Sequence, residues 1–140
     1  MKRLILFLAT PLLLLLLAVG CCDCRKQAKN HKPLVGTNWQ LVQLMAHDIN
    51  AEEDSYTLLF HDNGTASGMG DCNRLTATYS MTTSRDLTLS NIGATRRMCP
   101  NHELEAEYFS MLERVTHYEM DGDMMLLLSN GELVAIMQAK

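Results

Sequence analysis

The chain has 140 residues and a net charge of −4, which leaves room for one folded domain. That net charge hides a division: residues 1–20 carry +2, residues 21–36 carry +3, and residues 37–140 carry −9. An acidic domain behind a basic leader excludes general nucleic-acid binding, which needs a cationic footprint.

The leader opens with Lys2-Arg3 and continues as an apolar run from Leu4 to Val19, interrupted only by Thr10 and Pro11. It reads as a secretory signal peptide over residues 1–20. Ala18-Val19-Gly20-Cys21 resembles a bacterial lipobox, with Ala18 where leucine is usual. That resemblance implies cleavage before Cys21 and lipidation of its thiol. Several acyl chains, at ~0.8 kcal/mol per buried CH₂, would hold the protein on a membrane. Two other readings compete: an uncleaved membrane anchor, short against the roughly 20 residues a span needs, and a plain secretory peptide with an incidental cysteine. Residues 21–36 read as a tether. Arg25, Lys26, Lys29 and Lys32 could lie against an anionic membrane, and Cys22-Asp23-Cys24 lacks the paired spacing of a zinc site.

The folded domain is expected over residues 37–140. Trp39 to Leu44 is strand-like, with Trp39, Leu41 and Gln43 on one face and Gln40, Val42 and Leu44 on the other. Trp39, the sole tryptophan, suits a core position better than a ligand platform. His47 to Ser55 reads as an acidic loop, and Tyr56 to Phe60 as the next strand. Asp62-Asn63-Gly64 predicts a hairpin through a type I′ turn, returning along Thr65 to Met69. Gly68-Met69-Gly70-Asp71-Cys72-Asn73 then forms a corner, its glycines permitting positive φ or a close backbone approach. Leu75 to Met81 alternates cleanly, with Leu75, Ala77, Tyr79 and Met81 facing inward. Leu87 to Ile92 repeats the pattern.

After an irregular stretch from Gly93 to Pro100, Asn101 reads as a helix cap, with Glu103 and Glu105 placed against the helix dipole. Leu104, Tyr108, Met111, Leu112 and Val115 then form one apolar helical stripe. The end predicts a three-stranded meander: Thr116 to Met120, Met124 to Leu128 and Glu132 to Met137, turning at Asp121-Gly122-Asp123 and Asn130-Gly131. Strands, one helix, then strands point to an α+β fold: a small, mostly antiparallel, barrel-like sheet with one main helix.

Four pieces in this order resemble the META domain of the HslJ-like bacterial envelope proteins. They are Trp39-Gln40-Leu41, Gly70-Asp71-Cys72-Asn73, Thr95-Arg96-Arg97-Met98-Cys99-Pro100 running into Glu103 to Leu112, and the meander with Gly122 and Leu126. Asp71 separating the glycine from the cysteine departs from the family pattern. The resemblance implies a compact antiparallel fold, often carried on a lipoprotein, with family names that speak of heat-shock induction and novobiocin resistance. It carries no catalytic residue set and no cofactor. A membrane-anchored, non-catalytic role in envelope stress response or maintenance is therefore expected, with the outer membrane as location. The alternative is a carrier that takes an acyl chain or apolar peptide into the barrel mouth, by analogy of fold with secretion-system pilot proteins.

Cys72 and Cys99 are the two cysteines of the folded part. In an exported protein such a pair reads as a disulfide; a buried thiol pair or a redox site is the rival. The five histidines, His31, His47, His61, His102 and His117, lack metal-ligand spacing. His61-Asp62 suggests acid–base chemistry, but hairpin turns carry such residues routinely. Methionine is abundant, and core filling is expected of most of it.

Overall fold

A computed structural model describes residues 31–140. Nine strands form one antiparallel sheet: β1 (Asn38–Leu44), β2 (His47–Asp48), β3 (Thr57–Phe60), β4 (Thr65–Met69), β5 (Arg74–Met81), β6 (Leu87–Ala94), β7 (His117–Asp121), β8 (Met124–Ser129) and β9 (Glu132–Ala139). A single helix, α1 (His102–Glu113), lies between β6 and β7 among the described residues. The strand order is β6-β5-β4-β3-β1-β9-β8-β7, with β2 folded back on β1. Most pairings are between strands near in the chain, with β1 beside β3 as well as β2, and the ladder of β1 with β9 joins the two ends of the domain.

The sheet curls but does not close. Its edge strands meet at one bridge, Asp86 opposite His117, where Leu87 N donates to Thr116 O at 3.1 Å and Tyr118 N to Arg85 O at 3.0 Å. Beyond that bridge β6 diverges from β7, and α1 packs beside β6. The expected barrel-like antiparallel sheet with one helix is present, and it is open, with the helix beside β6 where a further ladder would lie.

The period-two pattern accounts for most of the core. Leu75 and Ala77 of β5 and Leu87 and Leu89 of β6 are buried, while Thr76, Thr78, Ser80, Thr88 and Ser90 are exposed. Trp39, Leu41, Leu58, Phe60, Met125, Leu127 and Met137 are fully buried. Trp39 is a core side chain, its Nε1 donating to Leu34 O at 3.1 Å. From the helix, Tyr108, Met111 and Leu112 complete this interior, and Tyr108 Oη donates to Thr57 O at 3.1 Å. Burial pushes the Tyr108 phenol pKa far up, so it stays a donor.

Several local expectations change. Leu44 shares the buried face with Trp39 and Leu41, because the register against β9 shifts between Leu41 and Gln43; a bulge swaps the alternation downstream of it. His47-Asp48 is a short strand, joined to β1 by Met45 and Ala46, both at positive φ. At the first hairpin only Gly64 has positive φ. Gly64 N donates to His61 O and His61 N to Thr65 O, which is a three-residue loop with a bulge glycine and not type I′. Asn130 and Gly131 both have positive φ, as a type I′ turn requires. Met81 is 47% exposed because β5 outruns the core. The folded unit also begins before residue 37: Leu34 is buried, Val35 bridges Phe60, and Gly36 N donates to Phe60 O at 2.9 Å.

Candidate functional site

The polar centre of the domain is the corner between β4 and β5, held against the N-terminus of α1. Neither Gly68 nor Gly70 has positive φ. Both are needed for close approach: a Cβ at Gly68 would run into the Thr57 carbonyl, and one at Gly70 into the Glu105 carboxylate. That space lets Glu105 reach the corner backbone. Its Oε1 accepts from Asn73 N at 3.0 Å and Cys72 N at 3.2 Å, and its Oε2 accepts from Asn73 Nδ2 at 2.7 Å. Glu105 is buried, and such a carboxylate is tolerated only where donors surround it. Beyond the dipole partnership expected of it in the first turn, it ties the helix to the corner.

Asn73 is the hub. Its Oδ1 accepts from Arg97 N at 2.7 Å and Thr95 Oγ1 at 2.9 Å, and its Nδ2 also donates to Arg97 O at 3.0 Å. Cys72 and Cys99 are joined in a disulfide with Cα atoms 5.7 Å apart. This bond and the Asn73–Glu105 bonds tie the same two segments together. On the chain-entropy model, closing a loop of sequence separation 27 stabilises by ~3.5 kcal/mol.

Asp71 clamps the start of the helix. Its Oδ2 accepts from Asn101 N at 3.0 Å and its Oδ1 from Asn101 Nδ2 at 3.2 Å. Asn101 occupies the cap position but makes no capping bond with its own side chain, which is spent on Asp71. A carboxylate beside a helix N-terminus is favourable. The residue that departs from the family pattern therefore has a visible task here.

Beside the clamp is a cavity of about 300 Å³ between the β2–β3 loop and α1, with Asp48, Ile49, Glu52, Tyr56, Asp71 and Leu104 in its walls. Tyr56 is buried, and its Oη has no hydrogen-bond partner. Burial, reinforced by the charges of Asp71 and Glu105, drives its pKa well above the usual phenol value. Asp71 is near enough to act on the phenol in this way, although the two make no bond of acceptable geometry. Two other surface grooves are larger. One, of about 430 Å³, lies on the outer face around Leu59, Met69 and Arg74; the other, of about 450 Å³, lies between α1 and β6 around Arg96 and Phe109.

The remaining sequence candidates fall elsewhere. His61 Nε2 meets Ser67 Oγ at 2.8 Å across the first hairpin, and among the described residues it makes no ion pair with Asp62. His117 lies at the sheet's closing bridge, with Nε2 3.1 Å from Glu119 Oε1 and Nδ1 3.8 Å from Asp86 Oδ1. Among the described residues no three His, Cys, Asp or Glu side chains are grouped to hold a metal ion. Met111, Met125 and Met137 fill the core, whereas Met98 stands 92% exposed. Cys21 and the signal segment lie outside the described residues, and among those described no helix is long and apolar enough to cross a membrane. The sequence pattern marks neither the burial of Tyr56 nor the bonds of Asp71 and Glu105 to distant segments. The departure at Asp71 was the one signal available.

An open antiparallel sheet with one helix, stapled from corner to helix start, defines a small α+β class. The META domain matches residues 32–140, and the chain belongs to that family. Its fold is similar to an NMR structure of a protein from Burkholderia xenovorans, at 22% identity and TM-score 0.59 over 76% of this chain and 83% of that one. It is also similar to a crystal structure of a DUF4847 family protein from Bacteroides vulgatus, at 16% identity and TM-score 0.56 over 76% and 93% of the two chains. At these identities the likeness is one of fold. No curated protein matches the chain.

Proposed function

We propose that this chain is a lipid-anchored, non-catalytic protein of the bacterial envelope, located at the outer membrane, that serves envelope maintenance or stress response by binding. The observation that carries the reading is how the polar corner is spent. Asn73, Glu105, Asp71 and Asn101 direct their side chains at backbone amides, at carbonyls or at one another, which suits a clasp better than a reaction centre. Cys21 would carry the acyl chains, and Arg25, Lys26, Lys29 and Lys32 would rest on anionic headgroups. Mass spectrometry of the mature protein tests the anchor. An N-terminal, acylated Cys21 is expected, with Cys21→Ser moving the protein out of the membrane fraction. A mature chain with an unmodified Cys21 overturns it.

A further inference from the structure

We infer that Arg74 and the loop from Thr95 to Met98 form a docking face for an anionic lipid surface, with the arginines on phospholipid headgroups and Met98 in the layer beneath them. The inference rests on the membrane-anchored reading above and names the face that the folded domain turns to the bilayer.

The domain is short of cations and leaves half of them unpaired at one place. Residues 37–140 carry −9, and their basic residues are Arg74, Arg85, Arg96, Arg97, Arg114 and Lys140. Arg85 pairs with Glu119, Lys140 with Asp54, and Arg114 donates to Ser110 O. Among the described residues the exposed side chains of Arg74, Arg96 and Arg97 meet no carboxylate. The fold gathers these three. Arg74 N donates to Thr95 Oγ1 at 3.0 Å and Thr95 N to Arg74 O at 3.1 Å, while Arg97 is bonded through both its N and its O to Asn73, the neighbour of Arg74. Of the acids at the corner, Asp71 is engaged by Asn101 and Glu105 is buried. An anionic surface is attracted here and repelled by the acidic remainder, which fixes the orientation of approach.

Met98 stands among these arginines. It is 92% exposed, against 47% for Met81 and for Leu133. Its place is imposed from both sides, by the Asn73 bonds to Arg97 and by the disulfide of Cys99 to Cys72. One exposed methionine is ordinary; one fixed beside three unpaired arginines on an acidic domain is not. The combination also selects the partner. Protein interfaces bury a contiguous apolar centre, yet Met81 lies at the far end of β5 from Arg74 and Leu133 lies on β9. A bilayer boundary accepts a single apolar side chain below the phosphates, with arginine stems lying along it and guanidiniums bonded to phosphate oxygens.

The test is ¹H–¹⁵N NMR of the full chain in nanodiscs of phosphatidylcholine, alone or mixed with phosphatidylglycerol, each carrying a lipid with a gadolinium-chelate headgroup. Attachment through the N-terminal segment is common to both discs, so the difference between them reads the folded domain. Relaxation enhancement at the amides of Arg74 and residues 95–98 is expected in the anionic discs, and it should fade in neutral discs and in high salt. Each arginine near the surface is worth about fivefold in the docked-to-undocked ratio, so Arg96→Gln/Arg97→Gln should lower that ratio about 25-fold. Met98→Ser should lower it several-fold. Arg114→Gln, at the C-terminal end of α1, should leave it unchanged. Equal enhancement in the two discs, or a loss with Arg114→Gln as large as with the arginine pair, overturns the inference. So do saturable shifts at the same amides with polyglutamate but no response to anionic discs, which would assign the patch to an acidic polypeptide. An unmodified Cys21 removes the anchor and leaves this docking standing, whereas an acylated Cys21 without docking does the reverse.

Discussion

The corner at Cys72 and the C-terminal meander are built on opposite principles. The meander is a backbone structure: β7 pairs with β8 and β8 with β9 in antiparallel ladders, the second with one register shift between Leu127 and Leu128, and Met125, Leu127, Val134, Ala135 and Met137 supply buried apolar side chains. Its instructions are local, an alternating pattern and a turn. The corner is a side-chain structure, in which a disulfide and the carboxylates of Asp71 and Glu105 join segments about thirty residues apart. Neighbouring residues specify the first, and only the completed fold can assemble the second.

The largest expected effect is at the staple. Cys72→Ala/Cys99→Ala together, or reduction, should lower stability by ~3.5 kcal/mol in urea unfolding, with the meander ladders still forming in the folded protein. Glu105→Gln comes next. An amide at this position turns a donor toward Asn73 and Cys72, so a loss of about 2–3 kcal/mol is expected; a change below ~0.5 kcal/mol would show that Glu105 is not the clasp. In the meander, Gly131→Ala should cost about 1–2 kcal/mol, since Gly131 sits at φ 87° with open space around it. Thermal unfolding would read that cost as backbone strain without a steric clash.

The smallest effect concerns Glu119, where β7 approaches β6. Its hydrogen bond to His117, helped by Arg85, holds its carboxyl pKa below the ordinary value. A depressed folded pKa gives stability that is present above the unfolded value, about 4.3, and is lost as pH falls through the folded one. The gap in stability between the native chain and Glu119→Gln should therefore shrink on acidification below about pH 4.3. Because the group is largely exposed, that gap should stay below ~1 kcal/mol.

The same contrast explains what was legible in the sequence. Asn130-Gly131, Gly122 and the alternation of Leu75 to Met81 each state their structure within a few residues, so the strands and the helix could be placed. Met45 and Ala46 turn at positive φ without glycine or asparagine, so β2 left no mark. Leu44 changed faces because of a bulge that only the pairing with β9 produces. The cysteine pair could be anticipated because few cysteines remained to choose from. Glu105 could not be singled out from the other acids of its helix, since nothing in the helical period distinguishes a carboxylate that meets Asn73 from one that meets water. Tyr56 is the extreme case, because its burial, its strain and its unpaired hydroxyl exist only after folding.

Native-state hydrogen exchange tests the central claim most directly, by following the Cys72 and Asn73 amides and those of β8 in oxidised and reduced protein. If side-chain clasping holds the corner and ladder bonding holds the meander, the two corner amides are strongly protected when oxidised. On reduction they lose that protection first, while the β8 amides still exchange only by global unfolding. Corner amides that exchange like an exposed loop in the oxidised protein, or a loss of protection in β8 that matches theirs on reduction, would contradict it.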